Sequence, residues 1–157
     1  MNKLKYLGYS IVFQEIPDEV TLAINISGCP HKCEGCHSKY LWEYEGNYIS
    51  DDLIELIEKY QDLITCVCFM GGDQNFEELC LAALIAKYCG LKVALYSGAS
   101  EINLGNNLAI SFDYIKTGPY NATLGGLNSP TTNQRMYQWI DNTWKDITYK
   151  FWKKDKS

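Results

Sequence analysis

The chain has 157 residues, 46% hydrophobic and 13% aromatic, which is enough to bury a sizeable core in a single domain over residues 1–157. Its formal net charge of -5 argues against a general affinity for nucleic acid, because such binding rests on Lys and Arg neutralising phosphates. No apolar run is long enough to span a membrane, and Gly8, Ser10, Gln14 and Glu15 interrupt anything resembling a secretory apolar core.

In chain order, Tyr9 to Ile16 and Val20 to Ser27 read as strands around a turn at Pro17-Asp18, the second with alternating Leu22, Ile24 and Ile26. After a cysteine-rich loop, Ser50 is placed to cap a helix over about residues 51–61. Asp51 and Asp52 fall in its first turn, and Leu53, Leu56, Ile57 and Tyr60 share one face. Leu63 to Met70 is a dense apolar strand. Asn75 and Glu78 have capping-box spacing ahead of a helix whose apolar stripe is Phe76, Leu79, Cys80, Ala83 and Leu84 and which ends near Gly90. Leu91 to Tyr96 and Ala109 to Lys116 read as further strands. Arg135 to Ile140 and Asp146 to Trp152 read as two runs joined through Asp141-Asn142 as a hairpin. Strands alternating with helices imply βα units and a mostly parallel sheet. The chain is much shorter than the roughly 250 residues of a closed eight-fold barrel, so an α/β open partial barrel with an N-terminal strand and a C-terminal hairpin is expected.

The expected address is the cytoplasm, where thiols stay reduced, so the seven cysteines read as metal ligands, catalysts or core residues before disulfides. Three of them stand in Cys29-Pro30-His31-Lys32-Cys33-Glu34-Gly35-Cys36, close enough for one irregular loop to wrap a compact metal centre. A structural zinc site or an electron-transfer cluster normally uses four protein ligands, whereas three leave one metal position open to a substrate. The three-then-two spacing also differs from ferredoxin runs. The alternative is a zinc loop completed by a distant ligand such as His31, His37 or Cys66. Cys66 and Cys68 alternate with Val67 in an apolar strand, and Cys80 lies on a helix stripe, so packing is their expected role; Cys89 sits beside the cap at Gly90.

The cysteine loop resembles the cluster-binding motif of the radical S-adenosylmethionine superfamily. Gly35 stands where most members carry an aromatic residue, a departure shared with the activating proteins of anaerobic ribonucleotide reductases. The stretch from Asp113 to Tyr120, with Leu124 to Leu127 and Asn128 to Arg135, resembles the same activating proteins. The resemblance implies a 4Fe-4S cluster held by Cys29, Cys33 and Cys36, with its open iron taking S-adenosyl-L-methionine. It gives Gly71, Gly72 and Asp73 the methionine ammonium; at the following strand ends Lys116 is a candidate to meet a carboxylate, that of the methionine moiety, and Ser97 to hydrogen-bond the cofactor. Asn133 and Arg135 are candidates for touching cofactor or protein substrate, and His37 for tuning the cluster. The implied activity is reductive cleavage of S-adenosylmethionine to a 5′-deoxyadenosyl radical, which then forms a glycyl radical on anaerobic ribonucleoside-triphosphate reductase. A flavodoxin-like electron donor is implied as a second partner, and neither nucleic acid nor a membrane is expected. Two other readings stay open: an activase for a different glycyl radical enzyme, and a non-enzymatic iron–sulfur or zinc module for electron transfer or docking.

Overall fold

The computed structural model describes residues 3–29, 39–99 and 108–152. Among them, eight strands form one open sheet: β1 (Lys5–Val12), β2 (Thr21–Ile26), β3 (Asn47–Tyr48), β4 (Cys66–Met70), β5 (Lys92–Tyr96), β6 (Tyr114–Thr117), β7 (Arg135–Ile140) and β8 (Thr143–Asp146). Their order across the sheet is β3-β1-β2-β4-β5-β6-β7-β8. The neighbours β2, β4, β5 and β6 run parallel, while β1, β3, β7 and β8 add antiparallel borders. The sheet is therefore mixed, a parallel centre with antiparallel margins, rather than mostly parallel. The two-residue connection between β7 and β8 requires an antiparallel pair there, since a parallel pair needs a long crossover.

Alternation along β4 divides the core. Val67 and Phe69 join Leu22, Ile24, Val93, Leu95 and Ile115 on the face covered by α1 (Ile49–Tyr60) and α2 (Phe76–Tyr88). Cys66 and Cys68 point to the other face with Ala94, Tyr114 and Met136, where Ile16, Leu127 and Ile147 cover them from loops and turns. Burying such side chains contributes about 1.5–3 kcal/mol each, which is why both faces of the parallel centre are apolar.

Several boundaries differ from expectation for identifiable reasons. β1 lies four residues earlier than Tyr9 to Ile16, because its alternation pairs Tyr6 with Ile26 and Val12 with Thr21 across a bulge. α1 begins at Ile49, so Ser50 falls inside the first turn and Tyr48 occupies the cap without a side-chain bond. Ile49 itself is buried and its N–H donates to Leu4 O, which anchors the helix start on β1. In α2, Asn75 Oδ1 does accept the Glu78 N–H, at 3.2 Å. The Glu78 carboxylate, however, accepts the Leu4 N–H at 2.6 Å instead of closing the box on the Asn75 backbone. The buried residues of α2 are Leu79, Ala82, Ala83 and Ala86, so its inward stripe is built of small side chains and Leu84 faces outward.

The expected strand from Ala109 to Lys116 is a helical turn, α3 (Leu108–Ser111), followed by the shorter β6. Lys87 Nζ donates to Ala109 O and lies 3.5 Å from Asp113, while Asp113 exchanges hydrogen bonds with Val93, so the strand starts only where β5 receives it. A short apolar run does not distinguish these states. At the C-terminus, β7 spans Arg135–Ile140 as expected, and Asp141 and Asn142, with φ of 52° and 62°, form the two-residue turn. β8 then ends at Asp146, because Asp146 Oδ1 accepts from both the N–H and hydroxyl of Thr148, and a 3-10 turn over Thr148–Phe151 replaces the expected strand. No helix among the described residues is long and apolar enough to cross a membrane.

Candidate functional site

The four adjacent parallel strands end along one edge of the sheet, and each is followed within two residues by glycine. β2 leads to Ser27-Gly28-Cys29, β4 to Gly71-Gly72-Asp73, β5 to Ser97-Gly98 and β6 to Gly118. Such an edge is where loops in sheets of this kind build sites, and glycine lets backbone come close to a ligand.

Cys29 stands at this edge, partly exposed, with a free thiol. Its N–H donates to Leu41 O at 2.9 Å, and the Gly28 N–H donates to Glu43 O at 3.0 Å. The segment from Leu41 to Glu45 thus returns alongside the start of the cysteine loop. Ser27 Oγ ties it further by donating to Glu45 O at 2.5 Å. Cys33 and Cys36, along with His31 and His37, lie outside the described residues.

Beside β2, Gly71 and Gly72 have φ of 107° and 109°. A Cβ on Gly72 would approach Leu79 Cδ1 to 3.0 Å, so the site needs glycine both for conformation and for packing. Asp73 follows and accepts from Ser97 Oγ at 2.6 Å. Lys116 is buried; its ammonium donates to Ser97 O at 3.0 Å and to Gly118 O at 2.7 Å, and lies 5.9 Å from the centre of the Tyr96 ring. The structure therefore brings Asp73, Ser97 and Lys116 into one hydrogen-bonded chain across the ends of β4, β5 and β6. Among the polar flanking residues, Asn133 donates to Pro119 O at 3.1 Å near this chain. Arg135 pairs with Thr117 at the end of β6, next to Lys116, and its guanidinium lies 3.6 Å from Asp146.

Two contributors carried no sequence signal. Gln74 Nε2 donates to Ser27 O at 2.8 Å, which fastens the loop after β4 to the one that begins the cysteine motif. Its Oε1 is buried without a donor among the described residues. Tyr96 donates its hydroxyl to Glu15 O and forms a wall of a cavity of about 890 Å³ on the loop-covered face of the sheet. Glu15, Asn128, Gln134, Tyr149 and Phe151 also line it. Gln134 Nε2 lies 3.4 Å from Gly118 O, which also accepts from Lys116, so the cavity borders the polar chain. A glutamine beside a glycine turn and a tyrosine ending a strand look ordinary in one dimension.

Three of the other described cysteines, Cys66, Cys68 and Cys80, have raised thiols. Burial pushes the Cys66 thiol up to about 12, with nearby Glu19 adding to the effect, and raises Cys68 well above the ordinary thiol range. Burial likewise raises Cys80. Such thiols stay protonated and are poor ligands. Cys66 also pairs with Thr21, at the opposite end of the sheet from Cys29, and so cannot complete a centre with it.

The described part of the edge is compatible with an iron–sulfur centre: it offers a partly exposed thiol on a backbone tied to the segment from Leu41 to Glu45. Comparison with known proteins points the same way: residues 19–113, more than half of the chain, match the family model described as a 4Fe-4S single cluster domain. The match includes the whole cysteine motif, Gly71 to Asp73 and Ser97, and stops short of Lys116. Neither the curated proteins nor the solved structures gave a match. By the extent of that match, the chain belongs to the 4Fe-4S single cluster domain family.

Proposed function

We propose that this iron–sulfur protein is a radical S-adenosylmethionine activase that generates a glycyl radical on anaerobic ribonucleoside-triphosphate reductase. The observation that carries the reading is the hydrogen-bonded chain of Asp73, Ser97 and Lys116 on the same edge as Cys29. In this reading the open sheet is the partial barrel of the superfamily, and Cys29, Cys33 and Cys36 hold the cluster. When bound and reduced, a cluster with an open iron supplies the electron that cleaves S-adenosylmethionine to methionine and a 5′-deoxyadenosyl radical.

The protein's own contribution is binding and orientation. The Asp73 carboxylate is fixed by the Ser97 hydroxyl and, in this reading, is the acceptor for the methionine ammonium. Gly71 and Gly72 let the backbone approach the same group. Lys116 sets the spacing between the loops after β5 and β6 by bonding a carbonyl in each, and its buried positive charge favours a carboxylate at the rim. The loop-covered face, with its cavity beside Tyr96, shields a reactive species from water while leaving a mouth for a polypeptide segment.

The test is anaerobic cluster reconstitution followed by assay of 5′-deoxyadenosine under reducing conditions, then of the glycyl radical signal after mixing with the reductase. Cleavage with a radical on the reductase supports the whole reading. Cleavage with a radical only on another glycyl radical enzyme would reassign the partner. A cluster whose spectrum ignores S-adenosylmethionine, with no cleavage, would leave an electron-transfer or docking module.

A further inference from the structure

We propose that Gln74 is a positioning residue: it sets where Cys29 stands relative to Asp73, and so lets the metal bound through Cys29 and the Asp73 carboxylate share one ligand. The inference rests on the reading above, in which that ligand is S-adenosylmethionine. β2 and β4 are paired as far as Asn25 and Met70. Beyond that pair, the backbone bonds of the two strand ends turn to opposite sides of the edge. The Ser27 N–H donates to Lys5 O, Gly28 to Glu43 O and Cys29 to Leu41 O, whereas Gly71 donates to Tyr96 O. One half of the edge thus carries Cys29 and the segment from Leu41 to Glu45, and the other carries Asp73, Ser97 and Lys116. Gln74 donates the hydrogen bond that crosses between the halves, from Nε2 to Ser27 O at 2.8 Å.

Two observations mark this side chain as a placement device rather than a contribution to stability. Ser27 O can only accept, so the amide has one orientation, with Nε2 toward Ser27 and Oε1 away from it. Oε1 is then buried with no donor among the described residues, a desolvation cost that an apolar side chain of the same length avoids. The second observation is contact. A Cβ on Gly28 would lie 3.5 Å from Gln74 Nε2 and 3.5 Å from Tyr44 Cδ1, so amide and ring close on the residue before Cys29. Gly28 has φ of 73° and the conformational freedom of glycine, which this contact restricts. Asp73 and Gln74 share one 3-10 turn, Asp73–Asn75, so fastening Gln74 to Ser27 also sets the Asp73 carboxylate relative to Cys29. A ligand held at both places is sensitive to that setting, since a misplacement of about 1 Å can cost about a hundredfold.

Gln74→Met tests this, because it keeps the length of the side chain and removes both the donor and the unpaired acceptor. After anaerobic reconstitution the variant should bind as much iron as wild type and unfold in urea at the same or a higher midpoint. S-adenosylmethionine, titrated against the spectrum of the cluster, should bind about tenfold to a hundredfold more weakly. Gln138→Met, which removes an amide bonded to Tyr114 at the opposite end of β6, should leave that affinity unchanged. Because Gln74 acts through the placement of Asp73, the double variant with Asp73→Asn should lose less than the product of the two single losses. Wild-type affinity in Gln74→Met, a loss matched by loss of iron, or single losses that simply multiply would each overturn the proposal and leave the proposed activity standing. A wild-type cluster whose spectrum ignores S-adenosylmethionine would overturn that activity and this proposal with it.

Discussion

Ser97 Oγ lies 2.6 Å from Asp73 Oδ2, a charge-assisted hydrogen bond that joins the loops after β5 and β4 across the edge of the sheet. The same hydroxyl oxygen accepts the Ala99 N–H at 3.0 Å, so one side chain shapes its own loop and aims the neighbouring carboxylate. Ser97→Ala removes both bonds. Equilibrium urea unfolding should show a loss of roughly 1.5–3 kcal/mol, the range for hydrogen bonds to charged groups. On the proposed function, S-adenosylmethionine affinity read by anaerobic titration should fall with it, whereas Ser97→Thr should retain most of both.

Cys29→Ala is expected to lose most of the iron bound per chain and the visible cluster absorbance after anaerobic reconstitution. Cys66→Ala and Cys68→Ala should keep their iron and instead lower stability by a few kcal/mol at most, since both thiols are core atoms. Iron analysis on the three variants side by side separates ligand from core. Full iron loading of Cys29→Ala would remove that thiol from the ligand set.

Lys116→Met keeps most of the buried volume and deletes two hydrogen bonds, leaving Ser97 O without its ammonium donor and Gly118 O with only the longer contact from Gln134. A loss of about 2–3 kcal/mol in urea unfolding is expected. Lys116→Arg should not rescue it, because the guanidinium fork does not match two carbonyls spaced for a point charge.

Alkaline pH should destabilise the fold through the buried thiols. Cys66 is raised from an ordinary value near 9 to about 12, mainly by burial, and Cys68 moves in the same direction. The unfolded chain releases these protons first, so their contribution is fully present below about pH 9 and is lost as pH rises toward 12. Unfolding free energy measured anaerobically at about pH 8 and about pH 10.5 should fall, and Cys66→Ala should reduce the slope. An unchanged slope in that variant would place the titration elsewhere.

The hairpin offers a local test. Asp141 and Asn142 both adopt positive φ, which branched side chains strongly resist. Asn142→Gly should be neutral or stabilising by up to about 1 kcal/mol, while Asp141→Val should cost about 1–2 kcal/mol and loosen the Trp139–Trp144 pair, whose rings lie 5.3 Å apart. Thermal unfolding and near-ultraviolet circular dichroism report these two effects separately.

The sequence by itself determined what depends on neighbours along the chain. The alternation of β2 and β4, the Asn75 cap, the glycine at the end of α2 and the Asp141-Asn142 turn are local conformational preferences, and each is present in the structure. The spacing of Cys29, Cys33 and Cys36 is equally local, since a loop can wrap a metal only with thiols that lie close together along it. Tertiary structure alone decided what depends on distant partners. Ser50 was displaced from its cap because the Ile49 N–H is held by Leu4, and the run before β6 coiled because Lys87 and Asp113 fix it against α2 and β5. Gln74 and Tyr96 joined the site only when the ends of β2, β4 and β5 were laid side by side. Hydrogen bonds between residues dozens of positions apart leave no periodicity to read, and they are what turn a cysteine at the end of a strand into one wall of a site.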